Sequence, residues 1–145
     1  MTESDPRRAW MGLLARAKGV QLDRLWPDAP PPFDWLRRPD QGSMMVQGRA
    51  GAVGAAFNLG EVTVTRASVR LACGSVGHAL VQGLDARKAE RAALLDALLQ
   101  TQAHDDLAAR VLKPLRMAEA EAREARAKRA AATKVDFFTM ARGDA

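Results

Sequence analysis

Between Glu61 and Gln100 the hydrophobic period changes from two to 3.6, and that change limits what the chain can build. Glu61 to Leu71 alternates. Val62, Val64, Arg66, Ser68 and Arg70 project one way; Thr63, Thr65, Ala67, Val69 and Leu71 project the other. β-Branched residues dominate, which suits a pleated, half-buried strand. Cys73-Gly74-Ser75 supplies a turn, and Val76 to Gly83 returns as a second strand, which predicts a hairpin. Asp85 then caps a helix predicted over Ala86 to Thr101. Ala86, Ala89, Ala93 and Ala97 form a smooth stripe that admits the close approach of a sheet. Leu94, Leu95, Leu98 and Leu99 crowd the other side. The second half of this helix is apolar nearly all round, so it is expected to be buried on more than one side.

Several side chains in this stretch are candidates for partner contact. Arg66 and Arg70 share the face opposite the apolar one. The bland reading solvates both on an open sheet face, where arginines usually lie; the sharper reading gives them polar contacts to a partner. Glu90 can pair with Arg87 or with a residue of another chain. Leu94 and Leu98 lie on the leucine side, where the apolar surface exceeds what the chain is expected to cover alone. His78, inside the second strand with no other histidine near it in sequence, reads as structural rather than catalytic.

The 145 residues suit one domain with about two-thirds of its unfolded surface buried on folding. No apolar run is long enough to span a bilayer. The opening Thr-Glu-Ser-Asp lacks the basic start and apolar core of a secretory signal. A lone cysteine excludes an internal disulfide and fits a reducing cytoplasm. Two histidines and one cysteine, far apart, do not make a metal site. The net charge of +5 invites nucleic acid or an acidic partner. Aromatics are only 5% of the residues, and no basic run is interleaved with stacking side chains, which argues against single-strand binding.

Taken in order, the chain opens with a helical lead-in over residues 1–26. Ser4 or Asp5 caps a first helix with Pro6 at its start, Trp10, Leu13, Leu14 and Ala17 form its apolar face, and Gly19 is expected to end it. Gln21 to Trp26 reads as a second short helix. Five prolines between Pro27 and Pro39 predict an extended connector over residues 27–41. Residues 42–103 should hold a sheet and a helix. Ser43 to Gly48 and Phe57 to Leu59 read as strands, separated by a glycine-rich turn that lacks the Lys-Ser or Lys-Thr of a phosphate loop, and Gly60 reads as a turn. The expected fold is therefore α+β: N-terminal helices, an antiparallel sheet of about four strands packed by a helix, then a helical arm and tail over residues 104–145.

In that arm His104-Asp105-Asp106 reads as a cap, with His104 on the surface, and Pro114 either kinks the helix or starts the next. From Arg116 to Lys134, alanine and i,i+4 pairs such as Glu119 with Arg123 and Glu124 with Lys128 favour helix, each pair contributing roughly 0.3 kcal/mol. After Met117 this stretch has no apolar residue larger than alanine, so it buries little against its own domain. Then come Val135, Asp136, Phe137, Phe138, Met140 and Arg142. An arm ending in an apolar knob predicts that Phe137 and Phe138 anchor in another subunit; the alternative is a tail folded back on its own sheet.

Four blocks carry a family resemblance: Gln47, Arg49, Gly51, Gly54 and Phe57; Thr63 to Ala67 with Val69 to Leu71; Gly83, Asp85, Ala89, Glu90 and Leu94 to Leu98; and the terminal VDFFTMARGD. Trp10-Met11 with Leu14-Ala15 fit the opening helix, and Pro27 to Pro39 fits no part of the pattern. In this order the blocks resemble the G subunit (PhnG) family of the bacterial carbon–phosphorus lyase system for phosphonate breakdown. The resemblance implies a core complex with H, I and J subunits, two copies of each, to which ATP-binding cassette proteins attach. Together with an L protein, G, H and I support transfer of a phosphonate to the ribose of ATP, displacing adenine. The nucleosidase chemistry is assigned to I, and carbon–phosphorus cleavage to J, an iron–sulfur and S-adenosylmethionine radical protein. The G subunit is implied to be an obligate structural partner, closest to I, with no cofactor or catalytic residue of its own. Arg49, Arg66, Arg70 or Arg142 could reach a triphosphate presented by a partner. A small basic nucleic-acid-binding module is the alternative reading of the charge.

Overall fold

Asp5 accepts a hydrogen bond from the Arg7 amide at 3.0 Å and Pro6 takes the first helical position, so α1 (Pro6–Arg16) starts where its cap dictates. The computed structural model describes the backbone of residues 5–49 and 56–143, with side chains for 5–48 and 59–134. Helix α1 buries Trp10, Leu13 and Leu14. It stops at Ala17, whose backbone turns extended, and not at Gly19. Gly19 instead opens α2 (Gly19–Leu25), because Gln21 Oε1 takes the Lys18 amide at 2.9 Å and so caps the second helix from Lys18.

The sheet has three antiparallel strands in the order β1 (Phe33–Arg49), β2 (Ala56–Leu71) and β3 (Val76–Gln82). The expectation of about four strands is corrected to three, because the two segments expected on either side of Gly60 are one strand. Gly60, with φ +150°, lies within β2 opposite Val46, where the register shifts before Gln47. A glycine absorbs this irregularity without breaking the ladder. Strand β1 likewise starts earlier than the connector expected over residues 27–41 would allow. Phe33, Asp34 and Trp35 already pair with Leu71, Arg70 and Val69. Pro39 sits on the edge strand at a register shift between Arg37 and Asp40, where its missing N–H costs no ladder bond. The glycine-rich turn falls in residues 50–55, outside the described residues; the strands flanking it pair from Arg49 opposite Ala56.

Helix α3 (Ala86–Leu99) starts at Asp85, whose side chain accepts from the Lys88 amide at 3.0 Å. It lies across β2 and β3 with Ala89, Ala93 and Ala97 buried against Ala67, Val69, Leu71 and Val81. The approach is so close that a Cβ at Gly77 would collide with the Ala93 carbonyl and come within 2.6 Å of the Ala97 amide nitrogen. Burial on two sides was expected, and the chain itself supplies both. Leu94, Leu95 and Leu99 are covered by the same core that contains α1, α2 and the start of the C-terminal helix.

That C-terminal part begins with a short α4 (His104–Leu107) whose cap position is Ala103, so His104-Asp105-Asp106 does not cap it. Nor is His104 a plain surface residue. Its Nδ1 lies 2.7 Å from the Leu99 carbonyl at the end of α3, and its ring packs on Trp10 at 5.3 Å between centroids. A π-helical turn, Ala108–Leu112, precedes α5 (Lys113–Gly143). This turn absorbs Pro114, which cannot donate to the residue four positions back. Leu107, Val111, Leu112 and Leu115 close the core. Beyond them α5 leaves it. Its 31 residues span about 46 Å, and every residue from Glu121 to Lys134 is exposed. The expected pairs form, Glu119 with Arg123 at 3.3 Å and Glu124 with Lys128 at 3.5 Å.

One buried carboxylate ties these layers together. Asp96 is 0% exposed in the apolar half of α3. Its Oδ1 accepts from Trp10 Nε1 at 2.8 Å and Arg7 Nε at 3.2 Å. Its Oδ2 accepts from Arg7 Nη2 and the His78 amide, each at 2.9 Å. The Arg7 guanidinium's own bond to Asp96 and the Asp96 charge raise it above its ordinary pKa, against the opposing effect of burial. Replacing Asp96 by alanine strands an indole N–H and a strand amide in the core. The Asp96→Ala chain should lose about 3 kcal/mol of stability, discounted for the part-exposed Arg7, read as a lower urea midpoint with an unchanged slope.

Candidate partner-binding surface

The face of the sheet turned away from α3 carries the arginines singled out by the sequence. Arg66 is exposed, and its Nε meets Asp40 Oδ1 across the β1–β2 ladder at 3.2 Å; Asp40 Oδ2 takes Arg37 Nη1 at 2.9 Å. Desolvation pushes the Asp40 carboxyl up. The hydrogen bond from Arg37 and the charge of Arg66 together outweigh it, so Asp40 is held below the usual carboxylate range. Arg70, also exposed, stands opposite Asp34 on β1 and Val76 on β3 and forms no ion pair among the described residues. His78 Nδ1 lies 2.7 Å from Ser68 Oγ on this face, and its backbone amide is the one held by Asp96. Among the described residues no cluster of three metal-ligating side chains forms.

Helix α3 distributes its candidates differently. Leu94 is 1% exposed inside the chain's own core, which corrects its assignment to a partner contact. Leu98 is half-buried and packs on the same core. Glu90 is half-buried beside Trp26 and Pro30. Arg87 does not pair with Glu90 but reaches Asp23 at 3.1 Å. Arg91 shares Asp23 at 2.8 Å and stacks over the Trp26 ring at 5.3 Å, so α2 takes both arginines. The side chains of Val135, Asp136, Phe137, Phe138, Met140 and Arg142 lie outside the described residues; the helical backbone carries these positions at the end of α5.

The uncovered apolar surface lies elsewhere than the leucine helix. Met44, Met45, Val46 and Leu59 are all exposed where β1 and β2 run on together. Neighbours in sequence point to opposite faces of a strand, so exposure of both Met44 and Met45 leaves this end of the ribbon bare on two sides. The sequence reading missed it by treating these strands as short segments. It also missed Asp96. The available signal was one acidic residue inside Ala92-Ala93-Leu94-Leu95-Asp96-Ala97-Leu98-Leu99, which must find partners or stay out of a helix core.

By its layers and exposed elements this is a small α+β chain that closes one core and sends out two projections, a two-stranded ribbon and a long helix. The chain belongs to the PhnG family, described as phosphonate metabolism protein PhnG, which it matches over residues 5–143. It is 45% identical over 148 aligned positions to the alpha-D-ribose 1-methylphosphonate 5-triphosphate synthase subunit PhnG of Rhizobium meliloti (strain 1021), covering 95% of this chain and 90% of that protein.

The ribbon and the leucine helix are told apart by substitution. Met44→Glu with Leu59→Glu should leave the melting temperature unchanged, as exposed sites do, while removing most of the chain's binding of a fluorescent apolar dye. Leu94→Glu should unfold the chain outright, because it places an unpaired charge in the core.

Proposed function

We propose that the chain is a non-catalytic, obligate subunit of a carbon–phosphorus lyase core complex of the cytoplasm, assembled with H, I and J subunits. There it supports transfer of an alkylphosphonate to the ribose C1 of ATP, with release of adenine. The observation that carries this reading is the relative at 45% identity, a subunit of a ribose 1-methylphosphonate 5-triphosphate synthase by its own name, aligned along nearly the whole chain. The build agrees with it. The described residues hold polar groups in structural bonds, and the chain extends a bare ribbon and a solvated helix away from its core. Among the described residues no helix is long and apolar enough to cross a membrane. ATP and the phosphonate are handled by the complex, and no cofactor is assigned to this chain. Nothing in its comparisons favours the nucleic-acid module.

Within that reading the I subunit is the nearest partner. Val135, Asp136, Phe137, Phe138, Met140 and Arg142 make the terminal anchor, with Glu90 and the half-buried Leu98 as secondary contacts. Burying one phenylalanine is worth up to roughly 3 kcal/mol, so losing two removes most of such an anchor. A chain stopped at Lys134 should keep its fold by circular dichroism yet fail to retain the I subunit in a pull-down that the full chain performs. Equal retention by both would remove the anchor. Arg66→Gln and Arg70→Gln, assayed for adenine release by the intact complex, should leave the rate within about twofold if these arginines only position surfaces.

A further inference from the structure

Where α1 and α5 diverge, the chain forms a cleft whose walls are basic and whose floor is apolar. The floor is Leu13, Ala17, Leu115, Ala118 and Ala122, with a volume of about 670 Å³ above it. Arg16 and Glu119 bridge the two helices at 3.2 Å, and a second, smaller hollow continues past that bridge toward Arg8 and Arg116. Six cations line the two hollows: Arg8, Arg16, Lys18, Arg116, Arg123 and Arg126. Among the described residues Glu119 is the one acid lining the two hollows. Arg16 and Arg123 both bond Glu119, whereas Arg8, Lys18, Arg116 and Arg126 form no ion pair among the described residues. This one cleft therefore holds as much positive excess as the +5 of the whole chain.

We propose that the cleft between α1 and α5 is the docking groove for an acidic amphipathic helix of a partner chain. The inference rests on the subunit reading for the source of that helix, and the cleft supplies its chemistry. Alanines at 118 and 122 let a helix backbone come close and offer its apolar stripe a smooth wall, while Leu13 and Leu115, buried in the core, show only their edges at the floor. Cations on both walls then meet carboxylates along its flanks, which sets register and rejects basic segments. Nucleic acid fits less well. No aromatic side chain lines either hollow to stack on bases, and the floor offers apolar carbon instead.

The test uses the full chain and a fluorescent helical peptide bearing a leucine–alanine stripe flanked by glutamates. A twin peptide with glutamines in place of the glutamates and a duplex oligonucleotide serve as controls. Fluorescence anisotropy should show binding of the glutamate peptide that weakens as salt rises, and little binding of the glutamine twin. Arg8→Glu with Arg123→Glu and Arg126→Glu should weaken the glutamate peptide at least about tenfold, with circular dichroism unchanged. Equal binding of the two peptides, no effect of the triple reversal, or tighter binding of the oligonucleotide each overturns the proposal. The subunit reading is scored separately, by retention of the I subunit. If the parent chain itself fails to retain it, the subunit reading fails whatever the groove binds, and if the parent retains it while the peptide arms fail as above, the groove proposal fails alone.

Discussion

The Asp96 carboxylate holds the architecture together, because it joins α1, β3 and α3 where they meet in the core. Arg7 and Trp10 come from α1, the His78 amide comes from β3, and Asp96 itself stands on α3. A buried carboxylate is expensive unless its lone pairs are filled. Here four donors fill them, and no buried side-chain nitrogen or oxygen among the described residues is left without a partner. The placement of α1 over the end of β3 brings the indole, the guanidinium and the strand amide to one carboxylate, and that placement sets where the α1–α5 cleft opens. The packing of His104 on Trp10 extends the same constraint to the start of the C-terminal helix.

This arrangement makes the core self-sufficient. The alanine side of α3 meets the sheet at a glycine, and its leucine side meets the chain's own helices, so the most apolar element is covered without help. What remains outside is distinct in kind. The ribbon around Met44 and Leu59 is apolar and bare. The helix after Met117 is charged and alanine-rich, and it keeps its shape by intrahelical pairs rather than by packing. Both are natural places for other chains of an assembly to attach, one by area and the other by charge and reach.

The caps and periods were legible in the sequence because they are local. Asp5, Asp85 and the alternation from Thr65 to Leu71 each act through residues a few positions away, and the structure follows them, although Thr63, expected on the apolar face, is exposed and Val64, expected on the other, is buried. Most of the failures were non-local. Gly60 and Pro39 look like breakers by composition, but long pairing partners carry the strands through them. Two failures were local: Gly19 opens a helix because Gln21 caps it, and Ala103 takes the α4 cap position in place of His104-Asp105-Asp106. Leu94 looked like surplus apolar surface because its covering helices lie far away in sequence. Asp96 was overlooked for the same reason. Its donors are 86 and 89 positions back on α1, and nothing near it in sequence announces them. Of the candidate contacts, the exposure of Arg66 and Arg70 was readable from the strand period alone, whereas the bond from Arg66 to Asp40 needed the register.

Hydrogen exchange of backbone amides tests the central claim most directly, measured on the chain alone and again in the assembled complex. If the chain closes its own core and offers only its projections, amides in the second half of α3 exchange slowly in both states, while those from Glu121 to Lys134 slow markedly on assembly. Rapid exchange of α3 in the isolated chain, slowed only when partners are present, would contradict it: the core would then be completed by another subunit.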